Sequence, residues 1–226
     1  MKRAFVALLM VGLAGCSATE QSQPNTVAKT GFLGDYSQLK PGTKDQALLV
    51  YVNPNVNWKL YHSVLIEPVQ VWDAPNRQAS AQDEKMLSSY YYNMLKQDLS
   101  KHFKIVHEAG PGVMTLRVAL TDATTATPVL RTMSVVVPSA HILTEVGNLA
   151  TGSYAFVGSA QSEGEVLDSV TGERLAAAVD RRSGGMSLDN ADVSEWGDAK
   201  KVMDYWAQRV DQRLVELRSE QKVSSQ

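Results

Sequence analysis

The stretch from Trp196 to Leu217 constrains this 226-residue chain more than any other. Trp196, Ala199, Met203, Trp206, Val210, Leu214 and Leu217 recur at helical spacing, with Lys200, Asp204, Asp211 and Arg218 off the stripe. The pattern predicts an amphipathic helix with one apolar face, and that face needs a second layer to cover it. A further helix is predicted from Ser80 to about His102. Leu87, Tyr91, Leu95 and Leu99 fall at four-residue steps, and Tyr90 and Met94 widen the stripe. Ser80 and Asp83 have the spacing of a capping box. Adjacent helical residues point about 100° apart, so Tyr92 is expected to be partly wet.

Short β-rich runs supply the other layer. ALLVYV (47–52) is followed by SVLIEPVQVW (63–72), where Pro68 cannot donate to a ladder and predicts an edge or a bulge. FKIVHE (103–108) and VMTLRVALTDA (113–123) come next. In the latter, Met114, Leu116, Val118 and Leu120 alternate with Thr115, Arg117 and Ala119, the period of a strand. SYAFVGSAQSEGEVLDS and GERLAAAVDRR flank Val170-Thr171-Gly172 and predict a hairpin. Strands outnumber helices, and both helices need a surface. The expected fold is therefore α+β in two layers, a mixed and mostly antiparallel sheet with the two helices packed on one face. A single domain is expected over residues 31–219, with a polar tail at 220–226. Its start is set by Phe32, Leu33, Tyr36 and Leu39, which are spaced to pack ahead of a Pro41-Gly42 turn.

The N-terminus has the layout of an export signal. Lys2 and Arg3 precede an uncharged apolar run, Ala4 to Leu13, and then Ala14-Gly15. The run is shorter than the roughly 20 residues of a bilayer span. Cys16 follows it and is the only cysteine, so no internal disulfide holds the fold. Leu13-Ala14-Gly15-Cys16 resembles the bacterial lipobox. That resemblance implies cleavage of residues 1–15, lipid attachment and acylation (palmitate) at Cys16, and a membrane partner reached through N-terminal acyl chains. Ser17 is not the aspartate that marks inner-membrane retention, which implies the outer membrane, with the body in the periplasm. Residues 16–30 are rich in Ser, Thr, Gln and Asn and are expected to form a flexible tether. Losing Lys2 and Arg3 with the signal takes the formal charge from −2 to −4. With no basic block, nucleic acid is not an expected partner.

No sequence pattern points to catalysis or a cofactor, and neither is expected. His62, His102, His107 and His141 show no metal-ligand spacing, and no cysteine joins them. Gly152-Ser153-Tyr154 and Gly158-Ser159-Ala160 do not make a nucleophile elbow. Glu163, Glu165, Asp168, Glu173 and Asp180 are interleaved with Arg174, Arg181 and Arg182, which favours cross-strand ion pairs over a pair of catalytic carboxylates. Trp58, Tyr61 and Trp72 are expected to cap the edge of the core rather than to line a groove. Residues 132–162 carry Glu145 as their only charge. They predict a strand and a short helix, with Ile142, Leu143, Val146 and Leu149 facing the core. A contact surface for self-association or an unknown envelope protein is one alternative, with Ile142, Leu149, Tyr154 and Phe156 as its residues, and a membrane-inserting hairpin is another, disfavoured because its strands do not alternate cleanly.

GFLGDYSQL, VYVNPNVNW leading into LIEPVQVW, and GEVLDSVTGERLAAAVDRR resemble the Gram-negative lipoproteins grouped as domain of unknown function 3313. The resemblance spans most of residues 31–218 and implies an envelope lipoprotein without bringing an activity. The expected function is a non-catalytic, lipid-anchored accessory that binds or scaffolds at the outer membrane. The alternative is a periplasmic hydrolase acting on cell-wall glycan or peptide.

Overall fold

Ser80 opens the first helix as its spacing predicts. Its hydroxyl accepts from the Asp83 amide at 3.2 Å, and the Asp83 carboxylate accepts from the Ser80 amide at 3.2 Å. The computed structural model describes residues 19–22, 27–43, 45–72, 79–123, 158–184 and 196–220. Cys16 and the signal before it lie outside these residues, as do Ile142, Leu149, Tyr154, Phe156 and the tail beyond Glu220.

The helices are α1 (Ala81–Leu99) and α2 (Gly197–Glu220). Helix α1 ends three residues before the expected His102, because Phe103 turns into the core and the chain enters a strand at Lys104. The strands are β1 (Thr19–Gln21), β2 (Lys40–Pro41), β3 (Leu49–Val52), β4 (Ser63–Ile66), β5 (Gln70–Val71), β6 (Lys104–Val106), β7 (Val113–Ala123), β8 (Ser159–Asp168) and β9 (Arg174–Gly184). They form one sheet in the order β2-β3-β9-β8-β7-β4-β6, with β1 also on β9 and β5 also on β7. The part from β2 to β7 is antiparallel, whereas β4 runs parallel to both β6 and β7. Parallel neighbours need a long crossover, and α1 supplies it between β4 and β6. The fold is the two-layer α+β arrangement expected, with α1 and α2 packed together on one face.

Pro68 acts differently from the expectation of an edge or bulge. It breaks the run into β4 and β5, which both pair in parallel with β7, and β4 is interior. Breaking the strand removes the need for the missing N–H, so the proline needs no outer edge. The hairpin between β8 and β9 forms as predicted, with Gly172 at φ 72° in its turn.

The large apolar cluster lies between sheet and helices. Leu87, Tyr91, Leu95 and Leu99 of α1 meet Val202, Met203, Trp206, Leu214 and Leu217 of α2 over Met114, Leu116, Val118 and Leu120. Tyr92 is half-buried. A smaller cluster lies on the opposite face, where Phe32 and Leu33 cover Ala119, Ala177 and Val179. Gly31 and Gly34 bracket this Phe-Leu pair with φ of 95° and 68°. Two glycines allow the tight turn that pushes both side chains onto the sheet.

The expected flexible tether is fastened to the sheet at residues 19–21 and at Ala28. Thr19, Glu20 and Gln21 pair with Gly184, Ser183 and Arg182 of β9. The Ala28 amide donates to Gln161 Oε1 at 3.1 Å, and Gln161 Nε2 donates to the Ala28 carbonyl at 2.8 Å. Polar composition hides this, because strand addition is held by backbone hydrogen bonds and needs no apolar side chain.

Candidate functional site

The helix layer and the sheet do not close completely. Ala178 of β9 sits in register between Val50 of β3 and Gly164 of β8, with Ala176 two residues along the same strand. Small residues on adjacent strands leave a cleft of about 190 Å³ beneath α2. Its walls are apolar, with Val50 and Val52 on one side and Trp206, Val210 and Leu214 on the other. Ala176 and Ala178 stay half-exposed although they lie on an interior strand. Tyr205, Arg209 and Arg213 of α2, Asp45 and Gln46 of the loop before β3, and Glu165 of β8 also line it.

Most polar groups of the lining are committed to structure. Asp180 accepts from Trp206 Nε1 and Gln21 Nε2, each at 2.8 Å, and from the Leu48 amide at 3.2 Å. Burial pushes its carboxyl above the usual carboxylate range, and these donors with Arg182 only partly offset that rise. The Ser162 hydroxyl donates to the Ala119 carbonyl at 2.9 Å. Arg213 pairs with Glu216 at 3.0 Å and Glu220 at 3.3 Å. Arg209 differs, donating to the Asp45 carbonyl and to Gln212 Oε1, each at 2.8 Å, and both acceptors are uncharged.

The carboxylates of the β8–β9 hairpin separate into distinct roles. Glu165 bridges two cations, Arg117 at 2.5 Å and Arg174 at 2.9 Å, and Arg181 meets Asp122 at 2.7 Å. The Glu165–Arg174 pair is of the expected cross-strand kind, whereas Arg117 and Asp122 are contributed by β7. Asp168 caps the turn by accepting from the Val170 and Thr171 amides at 3.0 and 2.8 Å, and from the Tyr61 hydroxyl at 2.8 Å. Burial raises its carboxyl pKa, but these bonds outweigh burial and hold it below the usual range. Burial and the Asp168 bond push Tyr61 up to about 12.

Glu163 departs from the ion-pair reading. It is fully buried, and it accepts from the Thr30 amide and hydroxyl at 3.0 Å and from the Tyr36 hydroxyl. Arg174 also grips the same N-terminal turn, donating to the Leu33 and Asp35 carbonyls at 2.7 and 2.8 Å.

The three aromatics considered together do not form one groove. Trp58 packs in the large cluster and Tyr61 against it, whereas Trp72 lies across the sheet, stacked edge-on 5.5 Å from Phe32. His102 faces Asp211 at 2.9 Å. Among the described residues no group of histidine, cysteine or carboxylate side chains is arranged to hold a metal ion. Sequence reading missed the cleft. Its signal was present in the Ala176-Ala177-Ala178 run, where small residues occupy a buried strand and leave the layer above unfilled.

A family profile described as Protein of unknown function (DUF3313) matches residues 28–210. The chain is 27% identical over 201 residues to the Uncharacterized lipoprotein YdcL of Escherichia coli K12, covering 86% of this chain and 87% of that protein. Its counterpart in E. coli O157:H7 matches equally. Among solved structures, the PelC dodecamer from Paraburkholderia phytofirmans aligns at 11% identity and a TM-score of 0.41, over 73% of this chain and 94% of that one. Protein XCC0632 from Xanthomonas campestris aligns at 8% identity and a TM-score of 0.43, over 76% and 94%.

Proposed function

The chain belongs to the DUF3313 family, and from that premise we propose that it is a lipid-anchored envelope protein that binds or scaffolds without catalysis at the outer membrane. The observation that carries this reading is the apolar cleft between α2 and strands β3 and β9. A concave apolar surface with a few placed polar groups is the usual form of a binding site. Asp180 spends its polarity on holding sheet to helix and Ser162 on joining two strands, which supports a binding cleft over a reaction centre.

Lipid attachment at Cys16 is supported by the lipobox-like sequence and by the relatives' description as lipoproteins. The pairing of Thr19 with Gly184 then matters. Thr19 lies three residue steps from Cys16, with Ser17 and Ala18 between, and these reach at most about 11 Å. The body is held close to the bilayer, with the Gly184 end of the sheet nearest the lipid.

Cys16→Ala should leave the body folded and release it from the membrane. Envelope fractionation on a density gradient, with the mature N-terminus read, tests this. Recovery of wild type in the outer-membrane band and of the variant in the soluble fraction is expected. A variant that stays in the membrane pellet with its signal cleaved would overturn the anchor assignment.

A further inference from the structure

Resting on the binding reading above, we propose that the cleft takes a single-chain anionic amphiphile, its alkyl tail between α2 and the sheet and its carboxylate or phosphate head at Arg209. The floor is the first reason. Ala178 and its neighbour Gly164 face the space under α2, and Ala176 and Ala178 are half-exposed on an interior strand. A core selected only for packing would carry larger side chains there, since protein interiors fill to crystal-like density.

Size and polarity are the second reason. Apolar cavities of about 150 Å³ stay dry and admit a benzene-sized body. At about 190 Å³, this cleft accepts a short stretch of alkyl chain and no bulky polar group. Valine and leucine walls favour transfer of an alkyl tail out of water.

The rim decides the head group. Arg213 is already matched by Glu216 and Glu220, and Asp180 is buried among its own donors. Arg209 has only uncharged acceptors, the Asp45 carbonyl and Gln212 Oε1. A bound anion can replace either of them with a charge-assisted, bidentate contact, which guanidinium geometry favours. Exposed Asp45 on the same rim disfavours a second negative charge nearby, so a single head group fits better than a polyanion.

The test uses the chain from Ser17 onward, which contains every residue of both apolar clusters. Octanoate, octyl phosphate, octanol and octylammonium are titrated by calorimetry, below the concentrations at which they aggregate. Saturable one-to-one binding of octanoate or octyl phosphate is expected. Octanol should bind about three- to fivefold more weakly, the range of one partly exposed ion pair, and octylammonium weakest of all. The tighter of the two anions identifies a fatty acid or a phosphate-headed lipid as the source.

Ala178→Leu fills the floor and should abolish binding without lowering the melting temperature. Val210→Phe fills the cleft from the opposite wall and replaces it if the leucine variant fails to fold. Arg209→Gln should keep tail binding and lose the preference for an anion. Failure of the folded chain to bind any of the four probes would overturn the proposal, as would wild-type binding by the filled variants. Unchanged anion preference in Arg209→Gln would overturn the head-group assignment. Each of these failures leaves the membrane-anchor assignment intact, because Cys16→Ala fractionation decides that separately.

Discussion

The two faces of the sheet are held by different kinds of interaction. Beneath the helices the contact is broad and apolar, running from Leu87 and Leu99 of α1 to Leu217 of α2. Its few polar contacts, such as Tyr90 to Asp204 at 2.7 Å and Trp206 to Asp180 at 2.8 Å, join groups already positioned by packing. On the other face a short N-terminal segment is clasped to the strands. Phe32 and Leu33 bury little beside two helices, and Gln161, Glu163 and Arg174 fasten the backbone of residues 28–35 directly. Apolar burial is non-directional and tolerates sliding, whereas hydrogen bonds to a buried carboxylate fix one position. The helix face therefore provides the bulk of the stability, and the clasp fixes where residues 28–35 lie on the sheet.

The largest expected effect is on the helix face. Trp206 is 6% exposed and lies 5.9 Å from the Tyr91 ring, so Trp206→Ala should cost about 3–5 kcal/mol and lower the whole melting transition. A loss below about 1 kcal/mol in denaturant titration would show that the helix layer does not carry the body.

A smaller, local effect is expected across the sheet. Glu163→Ala removes the acceptor of three hydrogen bonds, and about 2–3 kcal/mol is the expected cost. Fluorotryptophan NMR separates the faces, since Trp72 donates to the Thr30 carbonyl at 3.2 Å and Trp206 of α2 packs in the helix-side cluster. The Trp72 signal should change and the Trp206 signal should not. Equal movement of both would mean that the faces form one cooperative unit.

The smallest effect is a pH dependence of the clasp. Burial and the Glu163 bond raise the Tyr36 pKa above its ordinary value of 10.0. The folded state thus holds the phenolic proton more tightly than the unfolded one. That contribution is fully present below pH 10 and is lost as pH rises through the folded value. The Trp72 signal should shift on the alkaline side of pH 10, and Tyr36→Phe should remove the shift. A shift that persists in Tyr36→Phe would assign it to another group.

Much of the helix face was legible before any coordinates. The stripes of Leu87 to Leu99 and Trp196 to Leu217, the Ser80 cap and the turn at Gly172 are local patterns, and each has one geometrical solution. The cleft was less legible because small residues in a strand signal only that something approaches closely or that nothing fills the space. Neither Arg209 nor Ala178 carries a pattern of its own. The clasp was hidden more deeply. Glu163 belongs to a run of alternating charges that reads as ion pairing, and its actual partners, Thr30 and Tyr36, lie more than a hundred residues away.

Sequence alone determined the elements that repeat with a period. These are the two amphipathic helices, the strands that alternate, and the number of layers needed to bury one apolar face of each. It also carries the signal-like pattern of residues 2–16, which is read as a linear string. Tertiary structure decided the parallel placement of β4 between β6 and β7, the fastening of Thr19–Gln21 along β9, and the unfilled space over Ala178. The reason is the range of the forces involved. Periodic burial is written into neighbouring residues, while backbone pairing and the fit between distant side chains are settled only when separate parts of the chain meet.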